Sequence, residues 1–600
     1  MSQIINQRLQ QIRSFMQEHA LDAFIIPRAD EYLGEYVPTC NERLHWISGF
    51  TGSAGAVVIL NEQAAIFVDG RYTVQVRQQV DSALFSYHHL IEEPFLFWVC
   101  QKLSAGRQVG IDSRTFSLTQ YQQAKALCDH QRITLVETPI NPVDKLWQDR
   151  PSAPSGIATL MSNACVGASS LEKRLQIGEQ IHQTGAQAAL ITAPDSIAWL
   201  LNIRGSDISR LPVVLSQAIL HADGQMQWFV DPAKIPEGFI EHVGQGVSVA
   251  PETDFADGLK QLATQYQKVL ADPATSNAWC QLRLQEQSVQ LVALADPCLL
   301  PKACKNTAEI EGMREAHRRD ALAEVRFLAW LAQHEQQGTL PDEAQAADHL
   351  QQLRYLDSDC VDLSFDTISA SSSNAAMCHY NHENADVPAA LQMDSVYLVD
   401  SGGQYRFGTT DITRTVAIGQ PSQEICQRFT LVLKGMIALA CQRFPKGTTG
   451  TQLDVLARQY LWQQGLDFDH GTGHGVGHFL SVHEGPQRIS KAFNDVALAP
   501  GMVISDEPGY YQDGDYGIRC ENLLVVEPLE FPHSDRPFYQ FATLTFVPFD
   551  RRLIIPSLLS DAERQWLNHY HQQVFELVSS QLESTDIDTL TWLKAATATL

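Results

Sequence analysis

VYLVDSGGQYRFGTTDITRT (396–415) is the stretch on which the reading of this chain turns. An apolar run, Val396-Tyr397-Leu398-Val399, is closed by Asp400, and a second β-rich run, Ile412-Thr413-Arg414-Thr415-Val416, is opened by Asp411. The polar, glycine-containing connection between them predicts a hairpin-like return, with both carboxylates at one end of a sheet. Taken singly, each aspartate would be a turn residue or a cap. Two further segments change that. HGTGHGVGH (470–478) brings His474, and DEPGYYQDGDYGIRCEN (506–522) brings Glu507 and Glu521, the second leading into the apolar run Leu523-Leu524-Val525-Val526. Four carboxylates and one imidazole are more than one catalytic metal takes, since such a metal usually has three protein ligands and an open position. They suit two divalent cations joined by bridging carboxylates. Charge then balances between four carboxylates and two M²⁺, leaving a bridging hydroxide, the nucleophile of two-metal hydrolysis.

The glycine-rich segment invites two misreadings. His470, His474 and His478 recur every fourth residue, as on a zinc-binding helix. Four interspersed glycines, each costing about 1 kcal/mol relative to alanine, argue against a helix there. No Lys-Ser/Thr follows, so it is not a phosphate loop either. The segment is expected to be an extended strand or loop in which small residues allow close approach while the histidines project.

These segments resemble the pita-bread metallopeptidases, a group that includes methionine aminopeptidase, prolidase and aminopeptidase P. The nearest resemblance is to the long, three-domain cytosolic form of aminopeptidase P. It is carried by His379-Tyr380, DSGGQY, GTTDITRT, HGTGHGVGHFLSVHEGP, GMVISDEPGYY and GIRCENLLVV, by the helix-like KNTAEIEGMREAH (305–317), and by the tail LTFVPFDRRLI and WLNHYH. Two departures are His478, where related sequences often carry a small residue, and the insertion-like NHENADV (381–387). The resemblance implies a fold of two tandem creatinase-like α/β domains, a pita-bread catalytic domain and a C-terminal extension, an α/β (α+β) class overall. It implies release of the first residue from peptides with proline in second position. Asp400 would ligate one metal, His474 and Glu507 the other, and Asp411 and Glu521 both. His379, His470 and His483 would act on the scissile carbonyl, with Glu507 carrying the proton. Arg519 and Tyr511 would support proton transfer, and Arg71 in VDGRY would reach the site from the first domain or from a neighbouring subunit. An oxygen-rich set with one imidazole favours Mn²⁺, with Zn²⁺, Co²⁺ or Fe²⁺ as alternatives.

Composition sets the outer bounds. The chain has 600 residues, 44% hydrophobic and 19% charged, with a net charge of −26. An acidic chain of this size is not expected to bind nucleic acid or an anionic membrane through bulk charge. MSQIINQRLQQIRSF at the N-terminus lacks a signal-type apolar stretch, and no run approaches the ~20 apolar residues of a membrane helix. Twelve cysteines without a CxxC pair are expected to be free, buried thiols, and the protein cytoplasmic. Cys520, beside Glu521, is expected to pack rather than ligate.

The first half carries an internal duplication. Residues 8–72 and 172–232 each run through an amphipathic helix, an apolar strand, a Trp-containing segment and an apolar hairpin ending in Phe-Val-Asp. Three prolines in NPVDKLWQDRPSAPSG (141–156) mark a linker, and DPCLLPKACKN (296–306) marks a second. The expected domains are 1–150, 151–305, 306–532 and 533–600. In the last, FATLTFVPF (541–549) is expected to be β-rich and 559–582 helical, with Ser560 as N-cap and Glu563 completing a capping box. The apolar face Trp566, Leu567, Tyr570, Val574 and Leu577 on that helix must be covered, which points to a homodimer formed through this region. Rival readings are a prolidase-like dipeptidase and a pita-bread binding protein without catalysis. Intact ligand positions argue against the second, and the duplicated first half against the first.

Overall fold

A computed structural model describes residues 2–600. The chain divides into two compact units, one made of residues up to Met161, Ala168–Ser209 and Val213–Leu299, the other of Ser162–Gly167, Arg210–Pro212 and Leu300–Leu600.

The duplication read from the first half appears in the first unit as two six-stranded sheets of one topology. In spatial order the first sheet is Ser86–His89, Ala64–Val68, Ala56–Leu60, Ala23–Pro27, Gln108–Ile111 and Thr134–Glu137. The second is Val247–Ala250, Met226–Phe229, Gln217–His221, Ala188–Ile191, Lys268–Ala271 and Gln290–Ala293. Each has an antiparallel centre and parallel flanks at matching places. The run Ala23-Phe24-Ile25-Ile26 is fully buried because helices cover both faces of its sheet, which is why it shows no alternation.

The second unit opens with a helix from Thr307 to Gln337, capped by Asn306, whose side chain accepts from the Ala308 and Glu309 amides while Glu309 returns to the Asn306 amide. Beneath it lies the antiparallel sheet Ile368–Ser371, Ser395–Ser401, Ile412–Ile418, in which Asp400 pairs with Thr413. The return between the two long strands is not a bare hairpin: Gly403–Tyr405 and Gly408–Thr409 form their own small sheet with Cys360–Leu363. A six-stranded sheet carries the rest of the site, in the order Arg443–Pro445, Phe538–Thr543, Asn522–Leu529, Val503–Asp506, Gly473–Gly475, Glu484–Ile489. The glycine-rich segment is extended, as expected. A Cβ on Gly473 would stand 1.9 Å from the Ser505 carbonyl oxygen and one on Gly475 2.3 Å from that of Glu484, so glycine is needed for the central strand to fit between its neighbours.

One expectation for the tail needs correction. The β-strand covers only Phe538–Thr543, and Leu544–Phe549 is irregular. The Leu544 amide still donates to the Leu523 carbonyl (2.8 Å), but beyond it side chains take over: the Val547 amide donates to the Tyr570 hydroxyl (3.2 Å) and the Phe549 amide to His571 Nε2 (3.2 Å). The helix Asp561–Ser579 has the Ser560/Glu563 capping box, and its apolar face packs on its own chain, with Trp566 and Leu577 only partly buried. Leu567, Tyr570, Val574 and Val578 are buried in the same core as Phe327, Val399, Val416 and Phe429 of the same chain. All twelve cysteines are free; Cys520 is buried, but not all are as expected, since Cys165, Cys304, Cys378 and Cys426 are half-buried and Cys441, just past the end of the helix Gln423–Ala440, is exposed. Among the described residues, no helix is long and apolar enough to cross a membrane.

Candidate metal centre

Five side chains from four segments converge. Asp400 is the last residue but one of its strand and Asp411 directly precedes the neighbouring strand. His474 is the middle residue of Gly473–Gly475, Glu507 directly follows Val503–Asp506, and Glu521 directly precedes Asn522–Leu529. Main-chain bonds hold the loops that carry the glutamates: the Glu507 amide donates to the Thr472 carbonyl (2.8 Å) and the Glu521 amide to that of Thr413 (3.3 Å). One ligand atom from each of Asp411, His474 and Glu521 lies within 4.8 Å of the others. His474 Nε2 stands 3.5 Å from Asp411 Oδ2 and 3.4 Å from Glu507 Oε1. Its Nδ1 donates to the Gly475 carbonyl (3.0 Å), which leaves Nε2 as the lone-pair nitrogen facing the carboxylates, the orientation typical of a metal-binding histidine.

The electrostatics favour a bound cation. Burial and mutual repulsion push Asp411 and Glu521 well above the carboxylate range and Glu507 up to about 7. The opposing cation is Arg519, whose Nη2 donates to Asp400 Oδ2 at 2.5 Å. Asp400 Oδ1 is buried without a hydrogen-bond partner. One guanidinium among four carboxylates and an orphaned carboxylate oxygen fit two divalent cations, with acceptors already in place.

A hydrogen-bonded chain leads away from Asp400. Arg519 Nη1 donates to the Tyr511 hydroxyl (2.7 Å), and that hydroxyl donates to His470 Nε2 (2.8 Å). His470 Nδ1 donates to the Gly471 carbonyl (2.7 Å), so the ring is neutral with its proton on Nδ1. Burial, with Arg519 nearby, pushes its pKa down to about 3. Tyr511 is pushed upward by burial and stays protonated. His483 stands edge-on to His474, ring centroids 4.5 Å apart. His379 follows Cys378, whose carbonyl accepts from Arg519 Nη1 (3.3 Å). Arg71 belongs to the first unit, where its guanidinium is bonded to Asp69 (2.8 Å) and lies 3.9 Å from Glu35.

Several supports went unread in the sequence. Thr413 Oγ1 donates to Glu521 Oε2 (2.7 Å) and accepts from Arg519 Nε (3.1 Å). Ser505 Oγ accepts from the His474 amide (2.9 Å) and donates to Glu507 Oε1 (3.3 Å). Arg458, fully buried, donates to the His470 carbonyl (2.8 Å) and holds Asp454. Glu484, next to His483, is bonded to the buried ammonium groups of Lys302 (2.8 Å) and Lys305 (2.5 Å). The alternation Thr413, Thr415 in TTDITRT was the available signal for the first of these; Ser505 lies two residues before Glu507, and Arg458, Lys302 and Lys305 come from other segments.

Fold and site together define a class, the metal-dependent peptidases of family M24. Residues 311–528 match that metallopeptidase family and 537–600 its C-terminal region, while 8–144 and 149–309 each match a creatinase/prolidase N-terminal domain. A probable Xaa-Pro aminopeptidase P of Tuber melanosporum is 38% identical, covering 98% of both chains. One from Fusarium vanettenii is 40% identical, again over 98% of both. The crystal structure of an X-prolyl aminopeptidase from Caenorhabditis elegans, described as a cytosolic enzyme with a di-nuclear active site, superposes with a TM-score of 0.94 at 33% identity, covering 99% of this chain and 100% of that one. This chain belongs to the Xaa-Pro aminopeptidase P family.

Proposed function

We propose that the protein hydrolyses the bond between the first residue and a following proline in peptides of three or more residues. The observation that carries this is the convergence of Asp400, Asp411, His474, Glu507 and Glu521, within a chain that matches aminopeptidases of that name from end to end. Asp400 would hold one cation, His474 and Glu507 the other, and Asp411 and Glu521 both; Mn²⁺ is the proposed metal, from the oxygen-rich donor set. When bound, two such cations supply Lewis acidity and make a shared water nucleophilic near neutral pH. Glu507 is assigned, from the family resemblance, to take a proton and return it to the leaving proline nitrogen. His483 and His379 are assigned to donate to the scissile carbonyl oxygen as negative charge develops there. The Arg519–Tyr511–His470 chain holds the Asp400 carboxylate in place through the bond from Arg519.

The segmentation into 1–150, 151–305, 306–532 and 533–600, a cytoplasmic location and pairing of two chains belong to the same proposal. Location is supported by the cytosolic C. elegans relative. Pairing rests on the family resemblance alone, because the tail's apolar face is covered within one chain. Light scattering that finds a particle of 66.8 kDa would refute it. A contribution of Arg71 to substrate binding would show as a raised KM in Arg71→Ala with kcat retained.

The deciding assay gives purified protein with Mn²⁺ the peptides Arg-Pro-Pro, Arg-Pro, Arg-Ala-Ala and Met-Ala-Ser. Release of arginine from Arg-Pro-Pro but not Arg-Ala-Ala is expected. Cleavage of Arg-Pro alone would make the protein a dipeptidase, and no cleavage with metal bound would make it a binding protein.

A further inference from the structure

Arg414 and Tyr570 form a clamp that ties the C-terminal region to the back of the metal centre. Arg414 lies on Ile412–Ile418, between Thr413 and Thr415, which bond Glu521 and Arg519 respectively. Side chains alternate along a strand, so Arg414 points to the opposite face. It is buried, and its Nη1 donates to the main-chain carbonyls of Thr413 and Glu521. Its Nη2 donates to Asn522 Oδ1 (2.8 Å), the Val547 carbonyl (2.7 Å) and the Tyr570 hydroxyl (3.0 Å). The guanidinium carbon lies 4.1 Å from the centre of the Phe549 ring.

Two features of this arginine's surroundings matter. Every hydrogen-bond partner is a neutral oxygen, and among the described residues no carboxylate is within ion-pair range. A buried guanidinium without a counter-ion is costly, so its place depends on the full set of acceptors. Those acceptors come from two sources that the sequence keeps apart: Glu521 and Asn522 at the metal centre, and Val547 and Tyr570 in the tail. Tyr570 completes the tail's side. Its hydroxyl donates to the Val547 carbonyl (2.9 Å) and accepts from the Val547 amide (3.2 Å), and its ring stacks on Trp566 with centroids 5.3 Å apart.

We infer that Arg414 and Tyr570 are positioning residues for the metal site, acting through the main chain of Glu521. This rests on the reading of Glu521 as a ligand to both cations. Glu521 is then held from both sides: Thr413 orients its carboxylate and the clamp fixes its carbonyl. The role of the C-terminal region in this chain is to hold the ligand backbone in place by way of Tyr570. Groups that support a ligand from outside its coordination sphere typically change metal affinity about 10- to 100-fold when removed.

The test compares three full-length proteins: wild type, Tyr570→Phe and Val574→Ala. Tyr570→Phe removes only the hydroxyl and keeps the ring stack. Val574→Ala opens a hole in the packing of the same helix, one turn away, without touching the clamp. Mn²⁺ affinity is measured by competition with a chelator, and the thermal midpoint is measured on the metal-free proteins. Expected is about a tenfold weaker Mn²⁺ affinity for Tyr570→Phe, with a smaller drop in midpoint than Val574→Ala, whose affinity stays within about twofold of wild type. Wild-type affinity in Tyr570→Phe would overturn the inference. So would equal losses of affinity in both variants, which would make the tail a general packing element. Failure of the wild type itself to bind Mn²⁺ would instead strike the metallopeptidase reading. Arg414→Lys adds a further arm: one ammonium cannot reproduce the fork, so affinity should fall at least as far as in Tyr570→Phe.

Discussion

Replacing a ligand by its neutral isostere should make the metal-free protein more stable while destroying activity. In Glu507→Gln the shape is kept and one negative charge is removed from a buried cluster. The Glu507 carboxyl is pushed from its ordinary 4.5 up to about 7, chiefly by burial and then by Asp400. At about 1.4 kcal/mol per pH unit, the ionised form costs the metal-free fold about 3 kcal/mol. The sign follows from proton binding. A carboxyl raised in the folded state binds its proton more tightly there than in the unfolded chain. Its contribution is therefore intact below about 4.5 and lost as pH rises through about 7. The variant has no such loss. Its advantage should be about 3 kcal/mol at pH 8 and under about 1 kcal/mol at pH 5. For a unit of this size, that difference is a thermal midpoint gap that widens by roughly 5 °C between the two pH values. The assay is thermal unfolding of chelator-treated wild type and variant at both pH values, repeated with saturating Mn²⁺. With metal at pH 8 the order should reverse, because only the wild type keeps the full ligand set. A metal-free variant that melts with or below wild type at pH 8 would refute the reasoning.

Asp411→Ala and Glu521→Ala should each abolish turnover and lower bound metal from two ions per chain towards one or none; metal analysis that finds both ions in either variant would end the bridging assignment. His483→Ala should retain both ions and lose about 10²- to 10⁴-fold in kcat, since its assigned task is on substrate, and loss of metal in it would exchange the roles of His474 and His483. His571 is buried and pushed down to about 3 by burial, Arg414 and Arg551, so it is neutral in the fold and accepts from the Phe549 amide. A histidine lowered in the fold contributes stability that is full above about 6.5 and is lost as pH falls, about 2 kcal/mol by pH 5. His571→Gln should flatten that acid limb in unfolding curves from pH 7 to 5, and an unchanged slope would show that His571 is not neutral in the fold.

The five positions proposed as ligands stood out in the sequence because each sits where a local pattern breaks. Asp400 and Asp411 interrupt apolar strands, His474 stands among glycines, and Glu507 and Glu521 flank Pro508 and Asn522 beside β runs. One helix start was legible for the same local reason, the Ser560/Glu563 capping box. The tail shows the limit. Apolar periodicity in 561–579 correctly demanded a partner for the helix face, yet could not say whether that partner was a second chain or the helix's own catalytic core. Leu544–Phe549 had the composition of a strand but found its backbone partners on Tyr570 and His571.

The sequence by itself determined the duplicated first half and the extended glycine-rich segment and pointed to the five side chains proposed as ligands, because periodicity, glycine spacing and residue type are properties of short stretches. Only the tertiary structure decided what surrounds those side chains. The Arg519–Tyr511–His470 chain, the bracing of Glu484 by Lys302 and Lys305, and the clamp from Arg414 to Tyr570 join residues 8 to 182 positions apart. A hydrogen bond depends on distances of a few ångströms and on direction. Those follow from how whole strands and helices stack, and no local pattern of residues records them.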